Sequence, residues 1–262
     1  MVQYYRPGGP FFVGDCMPFF HEGTLHLYYL LDENHHQAKG GLGAHQWAHA
    51  STTDLVHWEH HPLAIGITEE REGSICTGST FFHDGIFYGY YATRMLDRTQ
   101  HLSLATSRDG IHFEKQSPNP FASPPPGYSP YDYRDPFVFR DEESGHFHLL
   151  VTASLEPYAL QGRGGCLAHL VSPDLARWEV REPFIIPGYR GAPECPDYFR
   201  WHDWYYLVFS HAGVARYRMS RQPYGPWVRP AVDTFDGTMA RVIKTAAFCG
   251  DRRIGVAFLG TR

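Results

Sequence analysis

The chain lacks any apolar run of about 18 residues, the length an α-helix needs to cross a bilayer, so no membrane partner is expected. Its opening, Met1-Val2-Gln3-Tyr4-Tyr5-Arg6, has no basic leading segment and no long apolar stretch, and we expect no secretory signal. The five cysteines are odd in number, scattered, and include no CxxC pair. That argues against a disulfide framework and fits a reducing compartment, so a cytoplasmic location is expected. Positive charge is short as well: Lys+Arg is 23 and Asp+Glu is 28, a net charge of −5 with His neutral. A chain of this sign does not track phosphates, which argues against a nucleic-acid partner. Few segments of 11 or more residues hold a 3.6-residue apolar period without Gly or Pro interrupting, so amphipathic helices are not expected either.

Aromatic residues, Gly (26) and Pro (20) are plentiful, which suits many short strands joined by turns. Five stretches read strand, polar turn, strand. They are Phe19 to Tyr29, Phe81 to Tyr91, Val138 to Val151, Tyr198 to Phe209, and Phe248 to Phe258. A second element follows the first four, as Ser51-Thr52-Thr53-Asp54-Leu55-Val56-His57-Trp58, Ser107-Arg108-Asp109-Gly110-Ile111-His112-Phe113, Ser172-Pro173-Asp174-Leu175-Ala176-Arg177-Trp178, and more loosely Ser220 to Trp227. In it Asp bonds nearby amides and the aromatic opens an outer strand. Five units in 262 residues is about 52 each, near the ~50 of kelch-type blades. We therefore expect an all-β, five-bladed β-propeller with four-stranded antiparallel blades, spanning 1–262 as one catalytic domain. A β-sandwich, the other option, would not show a fivefold pattern. The fifth unit has no outer strand of its own, so either the segment near Tyr4 closes the ring or the chain belongs to a longer protein. The proline-rich stretch from Ser117 to Pro130 reads as a rigid loop before the third blade.

Asp15 lies six residues before His21, Asp135 six before Asp141, and Glu194 eight before His202. All three therefore sit near the same end of an innermost strand, and a ring of blades aims them at one funnel. Carboxylates gathered this closely shift one another's proton affinity, which suits one as acid and one as ionised nucleophile. Arg134 stands beside Asp135 to hold it ionised or to bind substrate hydroxyls.

At these residues the chain resembles the glycoside hydrolase family 32 enzymes, the invertase, levanase and inulinase group of β-fructofuranosidases. Arg134-Asp135-Pro136 resembles the family's Arg-Asp-Pro, and Glu194-Cys195-Pro196-Asp197 its Glu-Cys-Pro-Asp. Trp47-Ala48-His49-Ala50, with Asp54-Leu55-Val56-His57-Trp58 after it, is similar to the family's Trp-Gly-His-Ala stretch and following Asp-Leu-x-x-Trp. Thr77-Gly78-Ser79 is similar to its Ser-Gly-Ser. The resemblance implies a retaining double displacement on β-fructofuranosidic bonds of sucrose, fructo-oligosaccharides or fructans. Asp15 would be the nucleophile, Glu194 the acid/base and Asp135 the transition-state stabiliser, with carboxylates about 5–5.5 Å apart. No cofactor is implied. Arg134, Trp47, Gln46, Thr77, Ser79 and Cys195 are candidate substrate-binding residues, Cys195 also as a tuner of its neighbour Glu194. Asp15 has Gly14 before it and Cys16 after it, so the family's Asn-Asp-Pro-Asn-Gly surroundings are largely gone. Leu30 stands where the family often places Gln. The family's C-terminal β-sandwich is expected to be absent.

Seventeen histidines invite a metal, with His35-His36, His45, His49, His57, His60 and His61 clustered. No HExxH occurs and no carboxylate spacing supports a site, so no metal is expected and His49 reads as a buried structural residue. Trp58, Trp178 and Trp227 read as packing between blades, and Asp32 and Glu33 as pocket rim. The substrate is expected to be a small molecule or oligosaccharide. A transglycosylase, a furanosidase of the related family-43 type and a non-catalytic sugar-binding propeller remain as alternatives, and the oligomeric state is open.

Overall fold

The computed structural model describes residues 5–7, 9, 11–34, 37–157, 162–237 and 239–260. Each expected strand–turn–strand stretch folds as an antiparallel hairpin, and every hairpin belongs to its own sheet. The first sheet holds β1 (Phe12–His21), β2 (Thr24–Asp32), β3 (Gln46–Thr52) and β4 (Glu59–His60). The second holds β5 (Glu72–His83), β6 (Ile86–Met95), β7 (Gln100–Ser107) and β8 (Glu114–Lys115). The third holds β9 (Tyr128–Arg140), β10 (Phe147–Leu155), β11 (Gly165–Ser172) and β12 (Glu179–Ile185). The fourth holds β13 (Glu194–Trp201), β14 (Trp204–His211) and β15 (Val214–Ser220), and the fifth β16 (Ala240–Phe248) and β17 (Arg252–Leu259). Two hairpins are as tight as chain chemistry permits. Glu22-Gly23 and Asp84-Gly85 all take positive φ (46°, 84°, 47° and 76°), the left-handed pair whose twist matches the flanking strands.

The first strand of each sheet faces an axis. β1 packs on β5, β5 on β9, β9 on β13, β13 on β16, and β16 on β1 again. The result is an all-β propeller of antiparallel blades with a channel down its centre.

The rim repeats one device three times. Asp54, Asp109 and Asp174 each accept, on Oδ1, the amides two and three residues ahead. Each also pairs Oδ2 with the side chain three residues ahead: His57, His112 and Arg177. These bonds place the aromatic that follows against the preceding sheet. Phe113 meets Tyr28 edge-on, Trp178 meets Tyr90 edge-on, and Trp227 lies against Phe184 and Tyr198. Trp58 closes the ring by packing with Ile254, Val256 and Phe258 of β17. Packing between blades is therefore what these aromatics do, each pair contributing about 0.5–1.5 kcal/mol beyond its burial.

Among the described residues four strands per blade holds in three sheets, and the other two have three and two. Outside β15 the chain makes only isolated bridges, Arg216↔Thr234 and Met219↔Val228. Pro223, Pro226 and Pro230 remove ladder donors there, so no continuous strand forms. The fifth sheet has two strands among the described residues. Tyr4 and His35-His36 lie outside the described residues. Tyr5 packs at a tilt against Trp58 and bonds His60 Nδ1 at 2.9 Å, within the junction of the first and fifth sheets. The proline-rich loop ends sooner than expected, because β9 already begins at Tyr128. Before that it is tied to β7 through Phe121 N–H to Leu102 O and Asn119 Oδ1 to Leu104 N–H.

His49 is 1% exposed, stacked between His26 and His61, with His26 Nδ1 3.1 Å from His49 Nε2. Burial, and then neighbouring imidazoles, pushes His26 down to about 4 and His49 down to about 2. In the third blade burial and His148 push His169 down to about 4. Unfolding frees these imidazoles to take up protons near their ordinary 6.5, so the unfolded chain binds more protons below that pH. Stability is fully present above pH 6.5 and is lost as pH falls toward 4. Thermal denaturation between pH 8 and 4.5 is expected to show a falling Tm, with a slope of about 1.4 kcal/mol per pH unit for each histidine involved. His26→Gln is expected to flatten that fall.

Candidate active site

The same backbone irregularity occurs in every innermost strand. Gly14-Asp15 opposes Leu30 alone, Cys76-Thr77 opposes Ala92, and Asp135-Pro136 opposes Val151. Cys195-Pro196 opposes Phe209, and Val242-Ile243 opposes Ala257. Two residues against one is a β-bulge, which bends the strand and re-aims a side chain. Asp135, Cys195 and Val242 adopt positive φ (54°, 53° and 52°), a conformation costing non-glycine residues about 1–3 kcal/mol. Pro136 and Pro196 fit here because a bulge asks no amide of them.

These bulges bring Asp15, Asp135 and Glu194 together at one end of the channel. Cys195 Sγ lies 3.3 Å from Asp15 Oδ2 and 3.4 Å from Asp135 Oδ2, so one thiol donates to either carboxylate. The Thr77 hydroxyl donates to Asp15 Oδ2 at 2.5 Å. Asp135 is 2% exposed, and its Oδ2 receives the Cys195 amide and the Thr152 hydroxyl, both at 3.0 Å. Arg134 runs between the acids. It donates to Glu194 Oε1 at 2.8 Å, pairs with Asp132, and holds Nε 3.7 Å from Asp135 Oδ2. The Glu194 side chain remains 41% exposed, open to a ligand.

Burial lifts the Asp15 carboxyl, and the Asp135 charge lifts it further. Bonds from Thr77 and Cys195 oppose the rise, Glu194 adds to it, and the result is a value of about 6. The lift falls on the residue expected to act as nucleophile. Burial works against charge on Arg134, yet Asp135, Asp132 and Glu194 outweigh it and hold the guanidinium firmly protonated. The Cys195 thiol is pushed well up by burial and by the two aspartates, so it acts as a neutral donor.

Of the expected binding residues, Arg134, Thr77 and Cys195 are in the site. Trp47 is not: it is 0% exposed, its indole N–H donates to Cys76 O at 2.8 Å, and it packs between the first two blades. Its face is closed to solvent. Gln46 spends its side-chain oxygen on the Ile67 amide at 2.9 Å, and Ser79 accepts the Val138 amide at 3.2 Å, bracing β5 to β9. Asp32 is buried and accepts the Asn34 amide, while Glu33 is exposed. Leu30 packs beside Gly14 and opposite its bulge. Among the described residues no group of three or more His, Cys, Asp or Glu side chains is placed to hold a metal ion.

Three partners went unread in the sequence. Asp132 salt-bridges Arg134 and accepts from Ser154, and Thr152 receives the Cys195 amide at 3.2 Å. Asp132 and Arg134, two apart on one strand, share a face, and that alternation was the available signal. Thr152 and Ser154 sit in the apolar run of β10, where hydroxyls leave no pattern.

The architecture is a propeller whose axial funnel gathers acids around one arginine. The chain belongs to the glycosyl hydrolases family 32, whose N-terminal domain model matches residues 16–229, beginning one residue after Asp15. It is 30% identical over 200 residues to the sucrose-6-phosphate hydrolase of Escherichia coli, covering 72% of this chain and 39% of that one. It is 26% identical over 246 residues to the levanbiose-producing levanase of Bacillus subtilis, covering 88% and 43%. The chain thus spans less than half the length of these relatives. The solved structure of fructan 1-exohydrolase IIa from Cichorium intybus in complex with 1-kestose superposes with a TM-score of 0.79 at 20% identity, over 95% of this chain and 51% of that one. That likeness shows the fold.

Two substitutions separate the site from its supports. Thr77→Val removes the shortest donor to Asp15 and is expected to raise the Asp15 titration above 6, read by carboxyl ¹³C NMR. Trp47→Ala is expected to cost about 3–5 kcal/mol in denaturant unfolding, as loss of a buried indole does, with little change in ligand affinity.

Proposed function

We propose that the protein is a retaining β-fructofuranosidase acting on sucrose, fructo-oligosaccharides or fructans. The observation that carries this is the convergence of Asp15, Asp135 and Glu194, from three blades, on Arg134 and Cys195. Family membership supports it, as do relatives named for sucrose-6-phosphate and levan chemistry. The three carboxylates on a ring of five sheets also support reading the scaffold as a five-bladed domain.

In this reading an Asp15 carboxylate oxygen attacks the anomeric carbon of the fructosyl unit. The glycosidic C–O bond breaks, and Glu194 gives its proton to the leaving oxygen. Arg134 holds Oε1 of Glu194, so the proton travels on Oε2. Glu194 then takes a proton from water, whose oxygen attacks the same carbon and frees Asp15. Asp135, locked by the Cys195 amide and Thr152, accepts the sugar hydroxyls as positive charge develops on the ring. Leu30 and Gly14 make the wall beside Asp15 apolar, so hydroxyl contacts fall to Arg134 and Asp135.

Asp15 must be ionised to attack. With its carboxyl raised to about 6, kcat/KM is expected to fall as pH drops below 6. The deciding experiment is a product analysis on sucrose, inulin, levan and aryl furanosides. Fructose release is expected, with turnover abolished in Asp15→Asn and kcat lowered about 10²–10⁴-fold in Glu194→Gln. Oligosaccharide growth would reassign the reaction as transfer. Release from arabinosides alone would reassign the substrate, and sugar binding without turnover would make the site a lectin.

A further inference from the structure

A buried cation sits under the carboxylates and takes no part in the chemistry above. Lys244 is 2% exposed and lies just past the bulge of β16. Its Nζ crosses the channel to donate to Gly78 O at 3.1 Å and Pro196 O at 3.0 Å, and it lies 5.3 Å from the centre of the Phe137 ring. Among the described residues it has no carboxylate at ion-pair distance. An ammonium held by two carbonyls and a ring face is costly, and an aliphatic residue would serve stability as well or better. Its neighbours on β16, Val242, Ile243, Ala246 and Ala247, are apolar.

The two carbonyls explain its presence. Gly78 follows Thr77, the donor to Asp15, and Pro196 follows Cys195, the donor to Asp15 and Asp135. No side chain fits at Gly78, because a Cβ there would lie 1.8 Å from Tyr90 O. The next residue, Thr245, ties Asp197 of β13 by its amide at 2.7 Å and its hydroxyl at 2.6 Å. One strand thus grips both donor-bearing strands from below. Beyond Lys244 lies a cavity of about 430 Å³ at the other end of the channel, lined by Met17, Phe81, Phe137, Tyr198 and Arg253 and by none of the three carboxylates.

We propose that Lys244 is a positioning residue for the carboxylate pair: it fixes the backbone behind Thr77 and Cys195 and sets a permanent positive charge beneath Asp15 and Asp135. The proposal rests on the reading of Asp15 as the nucleophile. The titratable and charged groups on the strands around this point are Asp15 and Cys16 on β1, Cys76 on β5, Arg134 and Asp135 on β9, Glu194, Cys195 and Asp197 on β13, and Arg253 on β17. The Lys244 charge reaches Cys195, where it opposes the rise of the thiol. Losing the charge and loosening the two donors act on Asp15 in the same direction, toward a higher titration point.

The test compares Lys244→Gln and Lys244→Met, both neutral, with Lys244→Arg, which keeps the charge. Asp15 is titrated by carboxyl ¹³C NMR, assigned with Asp15→Asn, so the readout needs no turnover. The neutral variants are expected to move the Asp15 midpoint up by about one unit, with about a tenfold loss of kcat/KM on the acid side and kcat falling more than KM rises. Lys244→Arg is expected to stay near the wild-type midpoint. A folded neutral variant with an unmoved Asp15 midpoint and an unmoved acid limb overturns the proposal, even if its Tm has dropped. Wild-type protein that releases no fructose while Asp15 shifts as described would overturn the functional reading and leave the positioning role standing.

Discussion

A regular strand cannot serve this site, and the molecule depends on breaking five of them at one height. In an unbroken ladder each innermost strand would offer alternate side chains to its own sheet faces, squeezed between neighbouring blades. The extra residue in each bulge turns one side chain off that alternation and toward the axis. Asp15 and Asp135 meet a common thiol because their strands, 120 positions apart along the chain, are interrupted at matching points. The positive φ values at Asp135 and Cys195 record the cost, and the ladder pairs on either side of each bulge hold the chain in that state.

Once gathered, the acids must be reconciled with one another. Arg134 supplies the direct answer, touching Asp132, Asp135 and Glu194 at once. Neutral donors supply a second, since Thr77, Thr152 and the Cys195 thiol and amide all point at aspartate oxygens. Asp15 is the least compensated of the group: it has donors but no cation in contact, and its carboxyl is correspondingly raised.

The hairpins, the rim turns and the three acids were readable in the sequence because each is a local pattern. Asp54, Asp109 and Asp174 bond amides two and three residues away, so their signature fits in six letters. Asp135-Pro136 and Cys195-Pro196 stood out as motifs, but the bulges they occupy were not read from them. Trp47 could be read either way, because an aromatic beside a sugar site and an aromatic in a core look alike, and its bond to the Cys76 carbonyl 29 positions away is what distinguishes them. Lys244 gave no warning, since its partners lie 166 and 48 positions off on other blades. The missing ladder outside β15 turned on prolines whose effect depends on which amides a neighbour needs. Local bonds were legible, and bonds across the axis were not.

The bulge pairs hold Gly-Asp, Cys-Thr, Asp-Pro, Cys-Pro and Val-Ile at matching points of the five innermost strands. Scaffold and chemistry are therefore separable: the same frame presents five sockets, each already fitted with a different plug. Val242-Ile243 is the blank among them, an inert plug facing the same axis as the others. Exchanging it for a polar pair would fill the fifth socket of the funnel without redrawing the architecture.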